Sequence, residues 1–166
     1  MTGYARRSAR VVLIDAADRL LLVRSAQVIG RPEAGYAWFT PGGGVEPGEA
    51  LVAAAARELR EETGLDAAQG DLHPVAYTAG SGDLGWVSGR IRDDLFLLRV
   101  LSHEVDPAGL TDFERRHYAG HRWWTQAELA ETAEVIVPPD LPGLVARLIA
   151  GWRPESPVRL PWRGLG

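Results

Sequence analysis

Cysteine and lysine are both absent from this 166-residue sequence. Without cysteine there is no disulfide framework, no thiolate metal site and no cysteine nucleophile, which excludes zinc-finger and thioredoxin-like readings and leaves the redox compartment uninformative. Without lysine, all 18 basic side chains are arginine. Long apolar runs are missing too: none approaches the roughly 20 residues that span a bilayer, and the polar, basic start from Met1 to Arg10 is not followed by an apolar core of the signal-peptide kind. The 22 acidic residues give a net charge of -4 and a sequence pI near 5.6. That balance argues against a broad nucleic-acid surface and leaves room for a local phosphate pocket. A soluble, cytoplasmic protein with no membrane and no nucleic-acid partner is the expectation.

What is present suits a globular domain. The hydrophobic fraction is 46%, and the length allows one domain with a real core. No repeat or linker divides the chain, so residues 1–152 read as a single domain. Residues 153–166, with Pro154, Pro157 and Pro161, read as an irregular tail. Ala9 to Asp15 and Leu20 to Arg24 form a hairpin pattern. Ser25 to Tyr36 is loop-like, and Pro41 to Gly48 (PGGGVEPG) is rich in turn residues and predicts no regular structure. Glu49 to Thr63 has strong helical composition and is followed by Gly64 at the place of a left-handed cap. Further strands are expected at 72–78, 91–101 and 121–125. A capping box, Thr125 to Glu128, starts a short helix, and Asp140 to Ile149 forms a last one. The order implies an α+β fold, a mixed β-sheet flanked by helices.

The helix at 49–63 carries an unfavourable charge pattern. At 100° per residue, Glu58, Glu61 and Glu62 share an arc of about 100°, bordering the apolar arc of Val52, Ala55, Ala56, Leu59 and Thr63. Like charges at these spacings cost about 0.2–0.5 kcal/mol each, and carboxylates in the last turn oppose the helix dipole by about 0.3–1 kcal/mol. A compensating cation fits this pattern, and a hard oxygen cluster selects Mg²⁺ or Mn²⁺. A solvated acidic face paired with Arg57 and Arg60 is the alternative.

The residues upstream favour the cation. Gly43, five residues, Glu49, seven residues and then Arg57-Glu58-Leu59-Arg60-Glu61-Glu62-Thr63-Gly64-Leu65 resemble the Nudix box, G-x5-E-x7-R-E-U-x-E-E-x-G-U with U aliphatic, at every specified position. A weaker resemblance runs from about Ala9 to Ala130. It implies a Nudix-type α/β/α sandwich and a metal-dependent hydrolase of a nucleoside diphosphate linked to another moiety. It further implies Glu58, Glu61, Glu62 and the Gly43 carbonyl as metal ligands, with Glu49 and Arg57 as an orienting ion pair. Glu61 is the first candidate for general base and Glu114, in a later loop, the second.

Arg24, at the end of the second strand, resembles a position that contacts nucleotide phosphate in some family members. Tyr77, Trp86, Trp38 and Phe39 are candidates for stacking on a base or for the core. Homodimerisation is common in the family and is a further expectation. A non-catalytic nucleotide sensor is the rival reading, against which the intact box argues. The absence of cysteine argues against an isoprenoid diphosphate isomerase on the same scaffold.

Overall fold

The computed structural model describes residues 3–28, 30–84 and 87–162. Trp86 lies outside them. Among the described residues, nine strands form one mixed sheet in the order β8-β3-β2-β1-β6-β5-β9, with β4 paired to β1 and β7 to β2. The central strand β1 (Arg6–Ile14) runs parallel to β6 (Ser88–Arg99) along its whole length. Its other edge is shared. β1 meets β2 (Leu20–Ala26) only at Ile14 and Leu20, whereas Ser8 to Arg10 pair with β4 (Gly42–Gly44). The sheet therefore splits. One half carries β1, β4, β6, β5 (His73–Asp83) and β9 (Val158–Leu160). The other carries β2, β3 (Tyr36–Phe39), β7 (Tyr118–Trp124) and β8 (Ile136–Val137).

Helices cover both faces. Alternation along β1 sends Val11 and Leu13 to one side, where they pack on Ala54, Ala55 and Leu59 of α1 (Leu51–Thr63). Val12 and Ile14 go to the other side, with Leu141, Leu144 and Leu148 of α4 (Leu141–Ile149). A strand buried on both faces reads as a continuous apolar run, which is what Val11 to Ile14 is. Each fully buried leucine contributes about 1.5–3 kcal/mol, so the two layers hold the central strand from both sides. α2 (Asp112–Arg115) and α3 (Gln126–Glu131) are short, and each starts with a capping box, at Thr111 and Thr125.

Glu114, read as a loop residue, lies in α2, and two further stretches differ from expectation. The glycine run at 42–44 is a strand, because its backbone pairs with β1 although it has no side-chain pattern to show it. Gly42 has no alternative at this spot: a Cβ there would stand 2.4 Å from the Ala9 carbonyl oxygen. The segment read as an irregular tail contains β9, which pairs in parallel with Ala76 to Thr78 and buries Leu160 in the α4-side core. Tertiary pairing overrides its proline-rich composition. Among the described residues, no helix is long and apolar enough to cross a membrane.

Candidate active site

α1 begins at Leu51 behind an extended Ala50, so Glu49 falls in the preceding turn and folds back on the helix. Arg57 is the hub of the contacts that result. Its guanidinium donates to both Glu49 oxygens at 2.9 Å, to the Gly44 carbonyl at 3.0 Å and to Glu58 at 2.9 Å. Glu61 accepts from the same guanidinium at 3.4 Å. A bidentate arginine–carboxylate pair has a fixed geometry, so this fork ties the turn to the helix and sets the direction of Glu58. The Glu49 carboxyl is held down at about 2 by the hydrogen bonds from Arg57. The C-terminus of α1 is closed by Gly64 in the left-handed region (φ 74°), whose N–H donates to the Arg60 carbonyl.

Glu58, Glu62 and Glu114 come together, each offering a carboxylate oxygen within 4.8 Å of the others. Glu62 accepts from the Gly42 N–H at 3.0 Å. Burial pushes its carboxyl up to about 8, with the Glu58 charge adding to the rise and Arg10 opposing it. Glu58 is also raised, chiefly by burial, against the pull of Arg57. Glu114 reaches the group from α2, where its Oε1 accepts from the Thr111 N–H and hydroxyl, while its Oε2 is buried with no hydrogen-bond partner. Carboxylates desolvated next to one another disfavour their charged forms unless a cation joins them. All-oxygen donors with an orphaned buried oxygen fit Mg²⁺ or Mn²⁺.

The glycine run makes this approach feasible. A Cβ on Gly43 would lie 2.7–2.8 Å from the Glu58 carboxylate atoms. Glu61 is placed differently from its two neighbours on the ridge. It sits at the rim, 30% exposed on its side chain, beside Arg57 and outside the group of three.

A cleft of about 220 Å³ opens next to the carboxylates, in the split between the two halves of the sheet. Glu62, Glu114, Arg6, Arg10, Phe39 and Trp162 all line it. Arg10 donates to the Thr40 carbonyl at 3.0 Å and stands 3.7 Å from Asp93. Arg24 does not line the cleft. Its neighbours Val23 and Ser25 do, and Arg24, alternating with them, faces the other side of β2 and stacks at 4.5 Å over Tyr36. Trp38 is core, in edge contact with Trp124 at 5.1 Å, and Tyr77 lies under Arg92.

The sequence reading missed Arg6, Arg10 and Trp162. A partial signal for the arginines existed, since Arg6, Ser8 and Arg10 share one face of β1 ahead of its apolar run, although Arg7 between them blurs the alternation. No comparable signal marked Trp162.

Comparison with known proteins agrees with this layout. The NUDIX domain family model matches residues 5–142. An RNA pyrophosphohydrolase of Erythrobacter litoralis is 35% identical over 143 residues, covering 80% of this chain and 82% of that protein. The NAD-capped RNA hydrolase NudC of Stutzerimonas stutzeri is 40% identical over 80 residues, but the match spans only 25% of that longer protein. Among solved structures, a NUDIX hydrolase from Nitrosomonas europaea superposes with a TM-score of 0.61 at 23% identity, over 92% of each chain. A MutT protein from Methanosarcina mazei gives 0.61 at 18% identity, covering 90% of this chain and 96% of that one. These two show the α/β/α sandwich.

Proposed function

The chain belongs to the NUDIX family, and from that premise we propose that it is a pyrophosphohydrolase cleaving a phosphoanhydride bond in a nucleotide-type substrate. The observation that carries the reading is the convergence of Glu58, Glu62 and Glu114 on one small volume at the edge of a cleft that also holds arginine. A divalent ion held there, Mg²⁺ or Mn²⁺, would neutralise the anhydride's oxygens and activate water. Glu58, Glu62 and Glu114 are its ligands in this reading, with the Gly43 carbonyl and Glu61 at the open side.

The chain's own residues supply the rest. Arg57, locked by Glu49, keeps Glu58 beside Glu62 and Glu114. Arg10 and Arg6, which line the same cleft as Glu62 and Glu114, take the phosphate-contact role expected of Arg24. Glu61, with one long contact to Arg57, keeps oxygen lone pairs open to accept a proton from the attacking water. Glu114 has its Oε1 committed to Thr111, which suits a ligand better than a base.

A second reading, in which the nucleotide is the 5′ end of an RNA, is favoured by the activity named for the Erythrobacter relative. It would replace the expectation of no nucleic-acid partner, because one terminal nucleotide needs only a local pocket. The test is a Mg²⁺-supplemented panel of nucleoside triphosphates, NAD and a 5′-triphosphorylated oligoribonucleotide, read by phosphate or pyrophosphate release. Wild type is compared with Glu61→Gln and Glu62→Gln, each expected to lose at least about 100-fold. Undiminished hydrolysis in both variants overturns the metal assignment, and no turnover of any substrate by wild type moves the protein to the sensor class.

A further inference from the structure

We propose that Trp162, two residues after β9, completes the substrate cleft and is the wall on which the planar base of the nucleotide stacks. The inference rests on the nucleotide reading above, but on different residues. The family match ends at residue 142, so nothing in it assigns a role to this residue.

The geometry is specific. β9 pairs with Ala76 to Thr78, and Arg159 donates to the Ala79 carbonyl at 3.1 Å, which fixes the path of the chain as it leaves the sheet. Two residues past Leu160, the Trp162 indole lies directly on Gly80. A Cβ at Gly80 would come within 2.2–2.5 Å of three indole carbons, and one at Gly82 within 3.4 Å of a fourth. Gly80 and Gly82 share one face of β5, so together they leave a flat slot for one aromatic ring.

Trp162 is only partly buried and lines the same cleft as Glu62, Glu114 and Arg10. Its Nε1 has no hydrogen-bond partner, so no polar anchor explains its placement. A ring seated by shape, with a wall in a cleft that holds catalytic-type carboxylates, suits an aromatic ligand. Carboxylates at one side and an indole in the same cavity match a molecule with a phosphoanhydride joined to a base.

Loss of one aromatic platform weakens base binding by about 5- to 150-fold. The variants are Trp162→Ala, Trp162→Phe and Gly80→Ala, the last displacing the indole without removing it. Each is measured for KM and kcat on the best nucleotide substrate, for binding of nucleoside monophosphates by equilibrium dialysis, and for Tm. Trp162→Ala and Gly80→Ala are expected to raise KM and the monophosphate Kd by that factor with kcat within about threefold, while Trp162→Phe restores most of the affinity. A tryptophan that only plugs the core would lower Tm and leave KM unchanged, and that result in either folded variant overturns the proposal. Failure of the hydrolase reading is separate: it shows as no turnover by wild type.

Discussion

Substituting Gly43 by alanine puts the site geometry to a direct test. The Cβ would sit 2.7 Å from Glu58 Cδ and Oε2 and 2.8 Å from Oε1. Ordinary contact begins near 3.5 Å, so the carboxylate has to retreat by about 0.7–1 Å. The main chain gives no relief by strain, because Gly43 is not among the residues with positive φ and alanine fits its backbone. Nor is Glu58 free to swing, since Arg57 holds its Oε1 at 2.9 Å. A displacement near 1 Å at a reacting centre costs about 100-fold in rate, whereas overpacking at this edge costs folding about 1–3 kcal/mol. Gly44→Ala is the internal control: nothing stands within 4 Å of its Cβ, and its carbonyl still accepts from Arg57. Initial rates at saturating Mg²⁺, Mn²⁺ affinity by calorimetry and thermal melts on both variants form the assay. Gly43→Ala should lose about two orders of magnitude in kcat/KM with Gly44→Ala close to wild type. Equal rates in the two variants would refute the claim that Glu58 needs the bare glycine backbone.

Two further outcomes follow from the charges. The Glu49 carboxyl is lowered from 4.5 to about 2 by Arg57, so its contribution to stability is complete above pH 4.5 and is lost as pH falls through about 2. The stability gap between wild type and Glu49→Gln in urea melts should therefore be constant from pH 5 to 7 and close between about pH 4.5 and 2, and a gap independent of pH contradicts the pairing. Arg24→Ala should leave kcat/KM within about threefold of wild type, because the side chain stacks on Tyr36 away from the cleft. Arg10→Ala, on the cleft wall, should lose about 10-fold or more, consistent with about 1.5–3 kcal/mol for a hydrogen bond to a charged group. The reverse order in substrate kinetics would restore Arg24 to the phosphate site.

How much the sequence reveals depends on which physical signal each element has. β1 and α1 are legible because burial on two faces and on one stripe leaves periodic apolar residues, and Gly64 marks the end of α1. β4 is not legible, since Gly42 to Gly44 have no side chains to alternate and their pairing with Ser8 to Arg10 is purely a backbone event. β9 is three residues among prolines and exists because β5 offers an edge to it. The ridge of Glu58 and Glu62 follows from helical geometry. The arrival of Glu114 depends on where α2 docks, which its capping box fixes locally but not globally. Arg24, expected near the phosphate, faces away from the cleft, and Arg10, for which the sequence suggested no role, lines it. Strand parity says which neighbours share a face, and only the divergence of β1 from β2 determines which face meets the carboxylates.

The electrostatics of the cleft bear on why the acidic residues outnumber the cations there. Arg57 is engaged by Glu49, Glu58 and Glu61, and Arg10 by Thr40 and Asp93. Glu58, Glu62 and Glu114 are left as an acidic cluster at the place where the proposed anionic substrate would bind. Burial raises the Glu62 carboxyl to about 8, and the Glu58 charge adds to the rise, so the cluster disfavours its own full ionisation. A divalent ion held by the three carboxylates would bring their summed formal charge from -3 to -1 and so would weaken the repulsion of an anionic phosphate. Arginine alone could bind a diphosphate without such conditions. In the reading proposed above, an acidic site whose arginines are already paired would bind an anionic substrate more readily with a divalent ion present than without one.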